Sequence, residues 1–141
     1  MSGKEKITIK ATVDVNVKKV WEYWTEPECI KRWNTASEDW HTTIAENDLR
    51  VGGKFLSRME AKDGSFGFDF GGIYDEVILH KLISYTLGDE RKVRIIFEEN
   101  GNKTEITEIF EAESENSVEL QKNGWQSILD NFKKYSEEAA K

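Results

Sequence analysis

The sequence holds one cysteine, one proline and two histidines among 141 residues, and each scarcity removes a class of explanation. A single thiol, Cys29, cannot close an intrachain disulfide. With only His41 and His80 as further soft ligands, the common four-ligand zinc sites cannot be filled, so no metal and no cofactor is expected. The chain must therefore hold itself together by burial alone. At 16.3 kDa it can, because a domain of this size removes roughly 68–70% of its unfolded surface from water. The length fits one domain over residues 1–141. No stretch approaches the ~20 apolar residues of a membrane span, and the opening Met-Ser-Gly-Lys-Glu-Lys has charge where a signal peptide is apolar. Neither membrane insertion nor secretion by that route is expected, and a cytoplasmic location is. Positive charge is also in deficit: 20 basic against 27 acidic residues leave a net −7, which repels phosphate backbones, so nucleic acid is not an expected partner.

Aromatic bulk is plentiful, at 11% of the chain with five tryptophans, far too much for a disordered segment. Ile7, Ile9, Ala11, Val13 and Val15 occupy alternate positions, as in a half-buried strand. At Asn16, a good N-cap, the period changes to that of a helix carrying Val17, Val20, Trp21 and Trp24. Pro27 opens a second short helix with Ile30 and Trp33. A weakly alternating strand is read over Trp40–Ala45. Gly52-Gly53 turns into a strand carrying Phe55, Ser57 and Met59, and Asp63-Gly64 closes a hairpin. The returning strand places Phe66, Phe68, Phe70 and Tyr74 in one phase, interrupted by Gly71-Gly72, which reads as a bend or bulge. Strands over Leu82–Leu87, Lys92–Glu98 and Lys103–Glu111 continue the meander through short turns. From Asn116, paired with Glu119 as a capping box, Trp125, Ile128, Leu129, Phe132 and Tyr135 trace one face of a long helix to about Ala139.

A curved sheet must cover its apolar face, and only the C-terminal helix is long enough to do so. The expected class is α+β: a helix-grip (START-like) fold in which a curved antiparallel sheet of about six or seven strands wraps the long C-terminal helix, with two short helices after strand 1. These residues resemble the SRPBCC, or START-like and birch-pollen-allergen-like, superfamily. Within it they are similar to the C-terminal domain of the activator of the heat-shock-protein-90 ATPase. The matching pieces run in order: Val20-Trp21, Thr25-Glu26-Pro27-Glu28 to Trp33, Asp48-Leu-Arg-Val-Gly-Gly, Asp63-Gly64 leading to Phe70-Gly-Gly-Ile-Tyr74, and Gly124-Trp125-Gln126-Ser127-Ile128-Leu129-Asp130-Asn131-Phe132. The resemblance implies a cavity between sheet and helix, which the superfamily uses for apolar molecules and some branches use for cyclisation or hydration. It also implies a chaperone partner as an alternative.

The expected site is a non-enzymatic pocket for a small hydrophobic or amphipathic ligand. Its expected walls are Trp24, Trp33, Trp40, Phe55, Met59, Phe68, Phe70, Tyr74, Trp125 and Leu129, with Ser57 and Gln121 as polar groups on apolar faces. The same rings could instead pack as a closed core, and the residues leave both arrangements open. No catalytic residue is assigned. His41 and His80 stand without partners, Arg58 falls on the opposite strand phase, Asp69, Asp75 and Glu76 read as convex-side carboxylates, and Glu28 beside Cys29 argues against a thiolate nucleophile. The glycine pairs lack the lysine and hydroxyl of a phosphate loop.

Overall fold

Strict alternation makes β1 (Lys6–Val13), and the change of period at Asn16 makes α1 (Val17–Thr25). The Asn16 side chain accepts from the Lys19 amide at 3.0 Å, so the cap predicted from sequence is formed. Glu26 leaves the helical region and Pro27 restarts it, giving α2 (Pro27–Trp33). Then follow β2 (Trp40–Asn47), β3 (Lys54–Ala61), β4 (Gly67–Ile78), β5 (Leu82–Leu87), β6 (Lys92–Asn100), β7 (Lys103–Glu111) and the long helix α3 (Val118–Ala139). This computed structural model describes residues 5–35 and 37–141. All seven strands form one antiparallel sheet in the order β1-β7-β6-β5-β4-β3-β2, so the first strand pairs with the last. The sheet curls as a half-barrel around α3, with α1 and α2 closing the gap between β1 and β2. Among the described residues, no helix is long and apolar enough to cross a membrane.

The concave face is set by strand phase. Ile9, Glu108, Ile95 and Ile83 lie opposite one another across β1, β7, β6 and β5, and so share that face. Two bulges change the phase in ways the sequence does not announce. At Thr43 the β2 register shifts, so that Thr42 is buried while Ile44 faces out, 49% exposed. This explains the weak alternation there, and the strand runs on to Asn47 instead of ending at Ala45. At Asp75 the β4 register shifts again: Tyr74 points inward before it, Val77 packs on the core after it, and Ile78 is turned out.

Two expectations are corrected here. Gly71 and Gly72 are not the bulge; they stay in regular register opposite Leu56 and Phe55. They are needed for close approach, since a Cβ on Gly72 would run into the Thr86 carbonyl and come 3.2 Å from the Phe55 ring. The cap of α3 is Ser117, whose hydroxyl accepts from the Leu120 amide at 3.1 Å, instead of Asn116. Asn116 is drawn back into the preceding loop by Glu113, which accepts from its amide at 2.6 Å.

The solid core lies where β1, β6 and β7 meet α1 and the C-terminal half of α3. Val13, Val20, Ile106, Phe110, Leu129 and Phe132 are all essentially inaccessible there. Each such side chain contributes roughly 1.5–3 kcal/mol by burial. Trp33 pins α2 to α1 by donating from its indole nitrogen to the Tyr23 carbonyl at 2.9 Å.

Candidate functional site

Beneath β3, β4 and β5 the same helix does not meet the sheet. A cavity of about 360 Å³ is left there, bounded by the concave strands, by α2 with Asn34 at one end, and by Gln121, Trp125 and Ile128 of α3. Rings make its walls. Phe55 stands 4.6 Å from Tyr85, 5.3 Å from Tyr74 and 6.0 Å from Phe70, centroid to centroid. Trp125 reaches across from the helix to within 6.0 Å of Phe70 and stacks flat on Phe110 at 3.9 Å. Rings packed on one another in tilted, edge-to-face and stacked pairs, and anchored on the sheet and helix, cannot close into the space between them.

Ten of the twelve residues expected from sequence line this space: Trp24, Trp33, Phe55, Ser57, Met59, Phe68, Phe70, Tyr74, Gln121 and Trp125. Trp40 and Leu129 do not. Trp40 lies beyond the lining at the start of edge strand β2, opposite Ala61, with its ring 6.0 Å from Phe66 and 5.8 Å from Phe68, which marks the cavity rim. Leu129 is one turn too far along α3 and is wholly buried in the solid core. His41 and His80 lie outside the cavity lining, and His80 adopts a left-handed backbone with its ring 5.9 Å from Trp21. Arg58 is on the outer face between Glu60 and Asp69, at 3.1 and 3.3 Å.

The polar groups divide into those already satisfied and those that are not. The Ser57 hydroxyl accepts from Asn34 Nδ2 at 3.2 Å. Tyr74 donates to Asn47, which in turn donates to the Thr25 carbonyl at 2.7 Å, tying β4 to β2 and α1. Gln121 is engaged by the loop before α3: its Nε2 donates to the Asn116 carbonyl at 2.8 Å and its Oε1 accepts from the Glu113 amide at 2.8 Å. Its role is to hold the helix start against the cavity, as the hydrogen-bond demand of a buried amide requires. Arg91, at the rim, is paired with Asp89 at 2.7 Å.

Glu108 and Tyr85 are different, and the sequence reading passed over both. Each is buried, each lines the cavity, and neither side chain makes a hydrogen bond or ion pair among the described residues. Glu108 emerges from β7 between Ile9 and Ile95, in the same phase as Ile106 and Phe110. That phase was visible in the sequence as an acid inside an otherwise apolar alternation. Burial with no compensating partner pushes the Glu108 carboxyl up to about 8. Burial raises the Tyr85 phenol well above its ordinary value, and the nearby Glu108 raises it further. Burial likewise keeps Tyr74 neutral despite its bond to Asn47. Glu108 and Tyr85 thus add a buried carboxyl and a buried phenol to the polar groups that the sequence analysis places in the cavity. Among the described residues, no three His, Cys, Asp or Glu side chains are grouped to hold a metal ion.

Comparison with known proteins agrees with this architecture. A family model described as "Activator of Hsp90 ATPase homolog 1-like protein" matches residues 14–137. The solution structure of an AHSA1-like protein from Aeromonas hydrophila is 45% identical over 96% of this chain and 94% of its own, with a TM-score of 0.91. A solution structure from Cytophaga hutchinsonii is 52% identical over the same shares, with a TM-score of 0.82. A crystal structure from Nitrosomonas europaea, 20% identical over 99% of both chains, shares the fold at a TM-score of 0.82. No curated protein matches the chain. With its seven-stranded half-barrel closed on a long C-terminal helix, the chain belongs to the AHSA1-like family of the SRPBCC superfamily.

Proposed function

We propose that this protein is a cytoplasmic, non-enzymatic binding module that holds one small hydrophobic or amphipathic molecule between β3–β5 and the first half of α3. The observation that carries the proposal is the ring-walled cavity of about 360 Å³, within the size range of small-molecule sites. Its lining combines an apolar wall with a few polar groups, the composition that gives both affinity and orientation. The cavity is bounded by the helix that also completes the core, so a bound molecule would replace missing packing and stabilise the fold.

Native mass spectrometry of the purified protein, followed by denaturation and identification of released molecules, tests this. A retained molecule, recovered chemically unchanged, supports binding without turnover. A bare mass, together with no thermal shift across a panel of aromatic and lipid-like compounds, overturns it.

The family description favours a second reading, an interaction with a heat-shock-protein-90-type chaperone. The exposed Phe66 and Phe68 beside Trp40 give that reading a surface. Failure to stimulate the chaperone ATPase at saturating protein removes it.

A further inference from the structure

We propose that the cavity selects aromatic amines: the ligand's ammonium group pairs with the Glu108 carboxylate and the Tyr85 hydroxyl, while its ring stacks among Phe55, Phe70 and Trp125. The inference deepens the pocket reading above and rests on it.

Glu108 is a buried carboxyl with an open side toward the cavity and no partner of its own. Its oxygens open on the cavity and have no protein partner among the described residues, so a ligand donor placed there gains a charge-assisted hydrogen bond that the fold does not supply. The ligand's complement is set by the charged and titratable groups around the space. Facing it are Glu46 from β2, Tyr74 from β4, Tyr85 from β5, Arg91 from the β5–β6 turn, Glu108 from β7 and Glu113 from the loop before α3. The α3 lining is Gln121, Trp125 and Ile128, with no charge. Glu113 already accepts from the Glu115 and Asn116 amides, Glu46 is exposed in the outward phase of Ile44, and the one base, Arg91, is held by Asp89 at 2.7 Å, so Glu108 is the charged group left to meet a ligand. An anionic ligand, a fatty acid included, finds no free base among the described lining residues and gains no ion pair, whereas ionised Glu108 would oppose it. A cation meets a carboxylate, a phenol oxygen that can accept from it, and ring faces that attract positive charge within about 6 Å of their centroids. The net charge of −7 steers cations toward the protein as well.

Proton balance gives the proposal a signature. Burial holds the empty pocket's Glu108 mostly protonated at neutral pH. An incoming ammonium turns Glu108 into its carboxylate counter-ion, so its proton leaves to solvent and binding releases close to one proton at pH 7. Affinity for the amine then rises between pH 6 and 8. A neutral ligand that accepts a hydrogen bond from the protonated acid behaves in the opposite way, releasing no proton and weakening as pH passes 8.

The test compares 1-naphthylmethylamine with its uncharged isostere 1-naphthylmethanol by calorimetry at pH 7 in phosphate and in Tris, whose protonation enthalpies differ. The wild type should bind the amine about tenfold or more tightly than the alcohol, with buffer-dependent heat reporting the released proton. Glu108→Gln keeps the shape and removes the charge. It should bind the two probes within about threefold of one another, with no proton release and with the alcohol little changed. Equal binding of both probes by the wild type, or amine preference retained in Glu108→Gln, overturns the amine assignment and leaves the pocket standing. Binding of neither probe to either protein overturns both.

Discussion

One helix covers two unlike regions. Its C-terminal half, with Leu129, Phe132 and Ser136 fully buried, presses on β1, β6 and β7 and leaves nothing between. Its first half, carrying Gln121, Trp125 and Ile128, spans a void over β3, β4 and β5. Backbone geometry is shared between the two, so the difference comes from side chains. Where strands present Val13, Ile95, Phe97 and Ile106, aliphatic volume fills the space between helix and sheet. Where they present Phe55, Gly72, Tyr74 and Tyr85, stiff rings stand around a glycine and cannot close on each other. The closed half supplies the tightly packed core, and the open half gives up part of that packing to a ring-walled cavity with an acid on its wall.

The contrast can be tested by removing bulk from the closed half. Phe132→Ala should cost about 3–5 kcal/mol in urea unfolding, because a filled site cannot collapse. Trp125→Ala should cost clearly less, since that ring already borders empty space; equal losses would mean that the two halves are packed alike.

Glu108→Gln should act in the other direction and stabilise the empty protein by a few kcal/mol at pH 8. The sign follows from linkage. The folded-state carboxyl is raised, so it costs nothing below the ordinary carboxyl range near 4.5, where both states are protonated. The penalty grows as the unfolded state ionises and is complete near pH 8. Stability should therefore decline between roughly pH 4.5 and 8 in the wild type, and less so in the variant. Below that range Asp89, Glu113 and Glu137 pull the other way in both proteins, because their hydrogen bonds hold their carboxyls below the ordinary value and are lost as pH falls. A pH series of chemical denaturation on the two proteins checks this.

Gly72→Ala should cost about 1–3 kcal/mol, as the new Cβ pushes Phe55 and β5 apart, and should change ligand binding more than a surface glycine such as Gly101 replaced in the same way. The smallest effect is expected at Ser117→Ala. Loss of this cap should cost about 1 kcal/mol and raise hydrogen exchange in the first turn of α3 without touching the half that ends at Phe132.

Much of the architecture was legible because long periodic segments leave little choice. The odd positions of β1, the shift of period at Asn16 and the helical face from Trp125 to Tyr135 each specify one element and one buried side. What was not legible has local causes. The bulges at Thr43 and Asp75 invert the inward phase along β2 and β4 with no sequence signal, and Trp40, though in the phase of buried Thr42, begins the edge strand beyond the end of the cavity. Leu129 and Trp125 share a face of α3, and only the depth of the sheet beneath each decides which meets a void. β7 mixes threonine, isoleucine and glutamate along its length, so Glu108 does not stand out until the strand is divided by phase. Placing Thr104, Ile106, Glu108 and Phe110 in one row would have exposed an acid where every neighbour is buried.

The pairing of the first strand with the last also governs when the pocket comes into existence. Ile9 and Glu108 are neighbours across the β1–β7 ladder yet lie about a hundred residues apart in the chain, and closing so long a loop is a late and slow event in folding. The pairings from β2 to β6 are between sequence neighbours and so close only short loops. The wall that carries Glu108 has no partner strand on its far side until β1 docks. A ligand that binds only the finished pocket would therefore slow unfolding while leaving the folding rate nearly unchanged, lengthening the lifetime of the folded chain without hastening its birth.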